Sequence, residues 1–168
     1  MKKEIKSDVI RLRVVDKKNA EKILEYFNYD INKYLYEREY ESIEEVNDYL
    51  DSKIEEMIDE DSYLYDIYNQ EDDFVGQIEV INYQSLTPEV KLWIAKRYQH
   101  QGYGEASVEI IKNQLNEDGA FNYLIMEVDY RNYAALELVK KLGGMEITTS
   151  TIISQIGFTL ELKTFIVK

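Results

Sequence analysis

Residues 89–111, EVKLWIAKRYQHQGYGEASVEII, constrain the fold more than any other stretch of the chain. Val90 to Ala95 is almost continuously apolar, with β-branched and aromatic members, and predicts a strand. Gln99-His100-Gln101-Gly102-Tyr103-Gly104 follows as a glycine turn. A helix then carries Ala106, Val108, Ile110, Ile111 and Leu115 at roughly helical spacing. Gly102 and Gly104 lack the Cβ atoms that would hold a ligand off the backbone. The first turn of the helix leaves N–H groups unpaired, and together with the helix dipole they suit a phosphate or pyrophosphate. The dinucleotide fingerprint is not met, because position 107 is Ser, and no Gly-Lys-Ser/Thr of a triphosphate loop occurs.

The rest of the chain places this unit inside a larger sheet. Val9 to Val15 alternates as a first strand. Asp16 or Asn19 caps a helix with Ala20, Ile23, Leu24 and Phe27 on one face. Residues 29–41 are irregular and tyrosine-rich. Ser42 and Glu45 form a capping box for a second helix, whose apolar stripe is Ile43, Val46, Leu50, Ile54, Met57 and Ile58. Tyr63–Asn69 and Phe74–Ile81 read as antiparallel strands, and Tyr123–Val128 as a buried one. Asn132 starts a helix that Gly143-Gly144 ends, and Glu146–Ile153 and Gly157–Val167 close the chain as strands. The predicted order is β-α-α-β-β-β-α-β-α-β-β. Its natural packing is an α/β (α+β) domain with a central, mostly antiparallel sheet and helices on both faces.

Composition narrows the partners. One proline and seven glycines leave no linker to divide the 168 residues, so residues 1–168 read as a single domain. No run approaches the roughly 20 apolar residues of a membrane span, and the start carries no long apolar segment of a signal peptide. Cysteine is absent, which excludes disulfides and fits the cytoplasm; with one histidine besides, no metal site is expected. The net charge is −13, and residues 41–73 hold 14 of the 33 acids and one of the 20 bases, so the whole excess sits there. Nucleic acid and anionic membranes are disfavoured partners. The acidic block reads either as a solvated helix face or as a field that draws a polycation.

Gln99, Gly102 and Gly104, at a strand-to-helix junction, resemble motif A of the GNAT acetyltransferase superfamily: Gln or Arg, two residues, Gly, one residue, Gly or Ala. The surrounding ExxxWIAxxYQxxGYG is similar to the RimJ/RimL-type branch of ribosomal-protein N-terminal and polyamine acetyltransferases. Asn132, Ala135, Leu142 and Gly143 match motif B, so the resemblance spans essentially the whole chain.

The resemblance implies acetyl-CoA as cosubstrate and a primary amine as acceptor, either a small cationic amine such as a polyamine or a protein N-terminus. Strands Val90–Ala95 and Tyr123–Val128 would splay. Trp93, Ile94 and Ala95 would offer backbone groups to the pantetheine arm, with an N–H near Ala95 for the thioester oxygen. Gln99, His100, Gln101, Gly102, Tyr103, Gly104, Glu105 and Ala106 would hold the pyrophosphate. Asn132 would sit near the thioester arm, and Lys96 and Arg97 near the phosphates. Glu89 is the first candidate base and Glu79 the second; His100 reads rather as a loop residue or phosphate contact. Tyr34, Tyr36 and Tyr40 lie where the acceptor groove is expected. The family's usual general-acid tyrosine falls on Val139, which helical spacing assigns to the core. The thiolate would then leave unassisted, another tyrosine would serve, or the protein would be a non-catalytic acyl-CoA-binding module. A protein-interaction domain without cofactor is the third class, and the two retained glycines speak against it. The last strands are where a homodimer would form.

Overall fold

The strands join in one sheet, buried on both faces at its centre. In the computed structural model, which describes residues 2–119 and 121–168, eight strands run in the order β1-β2-β3-β4-β5-β6-β8-β7. They are β1 (Glu4–Lys6), β2 (Arg11–Val14), β3 (Ser62–Tyr68), β4 (Phe74–Ile81), β5 (Glu89–Ile94), β6 (Leu124–Asp129), β7 (Met145–Ile153) and β8 (Thr159–Val167). The helices are α1 (Ala20–Tyr26), α2 (Tyr29–Asn32), α3 (Ile43–Glu56), α4 (Tyr103–Asp118) and α5 (Tyr133–Lys141). Every neighbouring pair is antiparallel except β5 and β6. The expected mixed, mostly antiparallel sheet with flanking helices is therefore the architecture. Two elements are added to the expected order. β1 is too short and polar to signal itself, and α2 is a single turn capped by the Asn28 side chain.

The two faces of the sheet are built differently. Leu12, Tyr65, Ile78 and Val90 point to one face, where Val108, Ile111 and Leu115 of α4 and Val139 of α5 pack on them. On the other face Leu64 and Phe74 meet Ile23 of α1 and Val46 and Leu50 of α3. Each such aliphatic side chain, fully buried, contributes about 1.5–3 kcal/mol. Only part of the α3 stripe is buried. The helix ends at Glu56, and Ile58 lies beyond it in the turn Met57–Asp59, 75% exposed. Ser42 Oγ accepts from the Glu45 N–H at 3.3 Å, but the Glu45 carboxylate turns to the Glu41 N–H and Arg38 rather than back to Ser42. Asn19 does not cap α1 with its side chain, which instead donates to Asp66 and Tyr68.

One seam in the sheet is open. β5 and β6 share a single register pair, Glu89 with Ile125, where the Ile125 N–H donates to the Pro88 carbonyl at 2.9 Å. Beyond it the strands part towards their C-terminal ends. On its other edge β5 is held tightly: a Cβ on Gly76 would lie 2.1 Å from the Trp93 carbonyl oxygen, so only glycine lets β4 approach here. Among the described residues no helix is long and apolar enough to cross a membrane, and no cluster of His, Asp or Glu is placed to hold a metal ion.

Candidate active site

The seam opens into a groove of about 630 Å³ that runs from the turn before α4 to the tyrosine-rich segment after α1. Its wall on β5 is a backbone edge. Ala95 N–H donates to the Val75 carbonyl at 2.8 Å, which makes Ala95, Trp93 and Lys91 the residues whose backbone groups face β4. Antiparallel alternation then turns the groups of Leu92 and Ile94 towards β6, into the gap. The Ile94 carbonyl is covered by Gln99 Nε2 at 2.9 Å. Its N–H and both groups of Leu92 remain as an unpaired edge, the arrangement that accepts an added strand. This corrects the expectation for Trp93 and Ala95: of those three residues, only Ile94 offers its N–H to the gap.

At one end of the groove lies the glycine turn. Gly102 has φ 83°, a left-handed conformation that a Cβ disfavours, and the space where its Cβ would stand is empty. His100 is also left-handed at φ 60°, which histidine tolerates better than most residues. The N–H groups of Tyr103, Gly104 and Glu105 open the helix without intrahelical acceptors. Three expectations change here. Ala106 N–H is already bonded to the Gly102 carbonyl at 3.0 Å, so it is not free for a phosphate. Gln101 does not line the groove, and its side chain donates to the Arg97 carbonyl. A Cβ on Gly104 would point at Leu138 and Leu92, 3.3 and 3.4 Å away, so that glycine serves the packing of α4 rather than ligand clearance. Asn132 lines the groove and caps α5 by accepting from the Ala135 N–H at 3.2 Å, which leaves its amide NH2 as the donor for a ligand.

The other end is lined by side chains. Phe27 lies edge-on to Trp93 and tilts against Tyr40, which tilts against Tyr49, each pair with ring centroids 5.4–5.5 Å apart. Glu37 and Glu79 face the same space. Burial raises the phenol pKa of Tyr40 and Tyr49, and the nearby Glu37 and Glu79 carboxylates raise them further, so both keep their protons. Lys53 of α3 reaches Glu79 Oε1 and Glu56 Oε2, both at 2.8 Å. Partial burial would lower its pKa, but the two carboxylates outweigh this and raise it.

Glu79 lines the groove; Glu89 does not. Glu89 sits at the closed end of the seam, beside Lys91 at 3.5 Å. The geometry therefore moves the candidate base away from Glu89. It adds Glu127, which sequence reasoning missed. Glu127 stands on β6 across the gap, exposed, with the Thr164 hydroxyl donating to it at 3.2 Å. The signal was present in the alternation of β6, where Leu124, Met126 and Val128 fill the α4 face and leave Glu127 to the other. Nearby Asp129 is structural. Burial alone would raise its carboxyl, but hydrogen bonds from Arg131 and from the Glu161 N–H hold it below the usual carboxylate range. Val139 is fully buried, as its spacing predicts.

The family described as acetyltransferase (GNAT) domain matches residues 10–145. Curated proteins give no match. Among solved structures, a spermidine N-acetyltransferase from Vibrio cholerae in complex with CoA and spermine superposes with TM-score 0.79 at 18% identity, over 94% of each chain. An acetyltransferase from Salmonella typhimurium that modifies the N-terminal serine of 50S ribosomal protein L7/L12 gives TM-score 0.83 at 14% identity, over 95% of each. A RimL ribosomal L7/L12 alpha-N-protein acetyltransferase with coenzyme A gives 0.77 at 12%, over 97% of this chain and 96% of that one. At these identities the likeness is one of fold.

Proposed function

We propose that this chain, which belongs to the GNAT acetyltransferase family, moves an acetyl group from acetyl-CoA by direct transfer onto a primary amine. The observation that carries this is the single groove joining three parts: an amide-lined helix start, an unpaired strand edge, and an acidic aromatic pocket. The residues fit the cosubstrate. The amides of Gly102 to Glu105 suit the pyrophosphate, the Leu92–Ile94 edge suits the pantetheine amides, and Asn132 offers its NH2 to the thioester arm. Bound acetyl-CoA would supply an acetyl group activated as a thioester. The Ile94 N–H is the donor best placed for charge developing on that carbonyl oxygen.

A free alkylamine has a pKa of roughly 10.4, so it must lose a proton before attack. Glu79 on β4 and Glu127 on β6 both line the groove and are the candidate bases. The CoA thiol, at roughly 8.5, is a tolerable leaving group without a dedicated acid, consistent with Val139 in the core. Glu37, Glu79 and the Tyr40–Tyr49–Trp93 cluster favour a cationic amine. A small polyamine or a protein N-terminus meets that description. Charge disfavours nucleic acid and anionic membranes, and the lack of cysteine fits the cytoplasm. The exposed outer strand β7 is where a homodimer would form.

Thiol release from acetyl-CoA, measured over spermidine, other amines and Ala- or Ser-starting peptides, tests this reading. Release with one class, lost in Gly102→Glu, supports it. Tight, Gly102-dependent CoA binding without release from any acceptor would favour the second reading, a non-catalytic acyl-CoA-binding module, which buried Val139 allows.

A further inference from the structure

The tip of the β7–β8 hairpin crosses to the tyrosine-rich segment and is bonded there twice. The Gln155 N–H donates to the Tyr36 carbonyl at 2.9 Å, and the Arg38 N–H donates to Gln155 Oε1 at 3.0 Å. Both partners are braced from behind. The turn closes on itself through Ser154 N–H to the Phe158 carbonyl at 2.8 Å and Phe158 N–H to Ser154 Oγ at 3.0 Å, with Ser154 buried. The Arg38 guanidinium binds Glu45 at 2.7 Å, at the start of α3. The groove is lined on one side by Tyr36 and Glu37 and on the other by Ile152 and Leu160, the residues that flank this crossing.

We propose that Gln155 is a latch that sets the width of the acceptor entrance. The inference rests on the acetyltransferase reading above. With the latch closed, the hairpin and the 36–38 segment form a joined wall. A slender amine passes lengthwise along such a wall, but a peptide must carry its backbone and side chains away through the line that the two hydrogen bonds occupy. Gln155 does not touch the reacting atoms; it is a positioning residue, and its effect falls on which acceptor enters.

The test compares wild type, Gln155→Ala and Gln155→Glu. Gln155→Ala removes the acceptor for the Arg38 N–H, while Gln155→Glu keeps one. The residue is exposed, so neither change costs core packing. The expected result is that kcat/KM for an Ala- or Ser-starting peptide, divided by that for spermidine, rises about fivefold or more in Gln155→Ala, the worth of one hydrogen bond. It stays near wild type in Gln155→Glu. Hydrogen exchange at the Arg38 amide quickens in Gln155→Ala alone. If that amide is deprotected and the ratio does not move, or if wild type already prefers the peptide, the latch proposal is overturned while acetyl transfer stands. If no acceptor turns over, the transfer reading fails separately. Equilibrium binding of spermidine and peptide to the CoA-loaded protein then reads the same ratio, and equal affinities in wild type overturn the latch.

Discussion

The two ends of the groove are made of different material. The donor end comes almost entirely from one run, Leu92 to Glu105, with the Asn132 amide the one side chain added from elsewhere, and it works mainly through backbone: a strand edge, a left-handed glycine and the open amides of α4. The acceptor end is gathered from Phe27 just after α1 and from α2, α3, β3, β4, β5, β6 and the β7–β8 hairpin, and it works through side chains. A backbone site has one geometry and fails as a unit. A side-chain site can be adjusted one residue at a time. The sharpest way to break this contrast is Gly102→Glu. The substitution places a Cβ in a left-handed conformation, at a cost of about 1–2 kcal/mol, and a carboxylate where a phosphate should lie. CoA affinity is expected to fall by about 100-fold or more in a calorimetric titration, with spermidine affinity untouched. Loss of both together would mean that the two ends are not separable.

At the acceptor end the expected losses are large but confined to the acceptor and to chemistry. Glu79→Gln should lower kcat/KM for a polyamine by about 100-fold, the usual worth of a general base, while CoA binding stays within about twofold. Glu127→Gln, measured beside it, decides between the two strands. The carboxylate whose loss lowers kcat is the base, and the other contributes only to KM. Equal, small effects from both would remove a carboxylate base from the mechanism.

This contrast also explains what could be read before the fold was known. Gln99, Gly102 and Gly104 lie within six residues, so their spacing already carried the donor turn. The strand-to-helix junction followed from Val90–Ala95 and the helical spacing after it. What was not legible there depended on hydrogen-bond direction. Whether Ala95 or Ile94 faces the gap is fixed by the bond to Val75 on a neighbouring strand. Glu89 ranked ahead of Glu79 as base because the resemblance puts a glutamate at the start of the splayed strand. Only the point at which β5 leaves β6 puts one in the groove and the other at its closed end. The latch joins Arg38 to a residue 117 positions later, and no local pattern announces such a contact.

The acceptor face also carries a stability cost that the donor face lacks. Asp66 is almost fully buried on β3, receives hydrogen bonds from Asn19 and from groove-lining Gln77, and forms no salt bridge among the described residues. Burial pushes its pKa up to about 6, with the two amides pulling only partly the other way. A carboxyl raised on folding binds its proton more tightly in the folded state. Its contribution to stability should therefore be fully present below about pH 4, be lost as pH rises to about 6, and level off above. The fall is on the order of 3 kcal/mol, read as a drop in Tm. Asp66→Asn should flatten that interval. An unchanged slope would assign it to the general acidity of the chain.

The smallest expected effect is also the most direct comparison of the two ends, because it changes no residue. Glu37 and Glu79 sit in a protein of net charge −13, so a polycationic acceptor is drawn in by both the local and the global field. Acetyl-CoA is an anion that approaches the same negative protein, with Lys96 and Arg97 beside its turn as the local exceptions. Raising salt from about 0.05 M to about 0.5 M shortens the screening length severalfold. Over that range kcat/KM for spermidine should fall severalfold, while kcat/KM for acetyl-CoA holds or rises. Opposite signs from one groove would mean that its two ends bind by separate electrostatics. If both fell together, the donor turn would owe more to Lys96 and Arg97 than to its amides, and the backbone account of that end would have to yield.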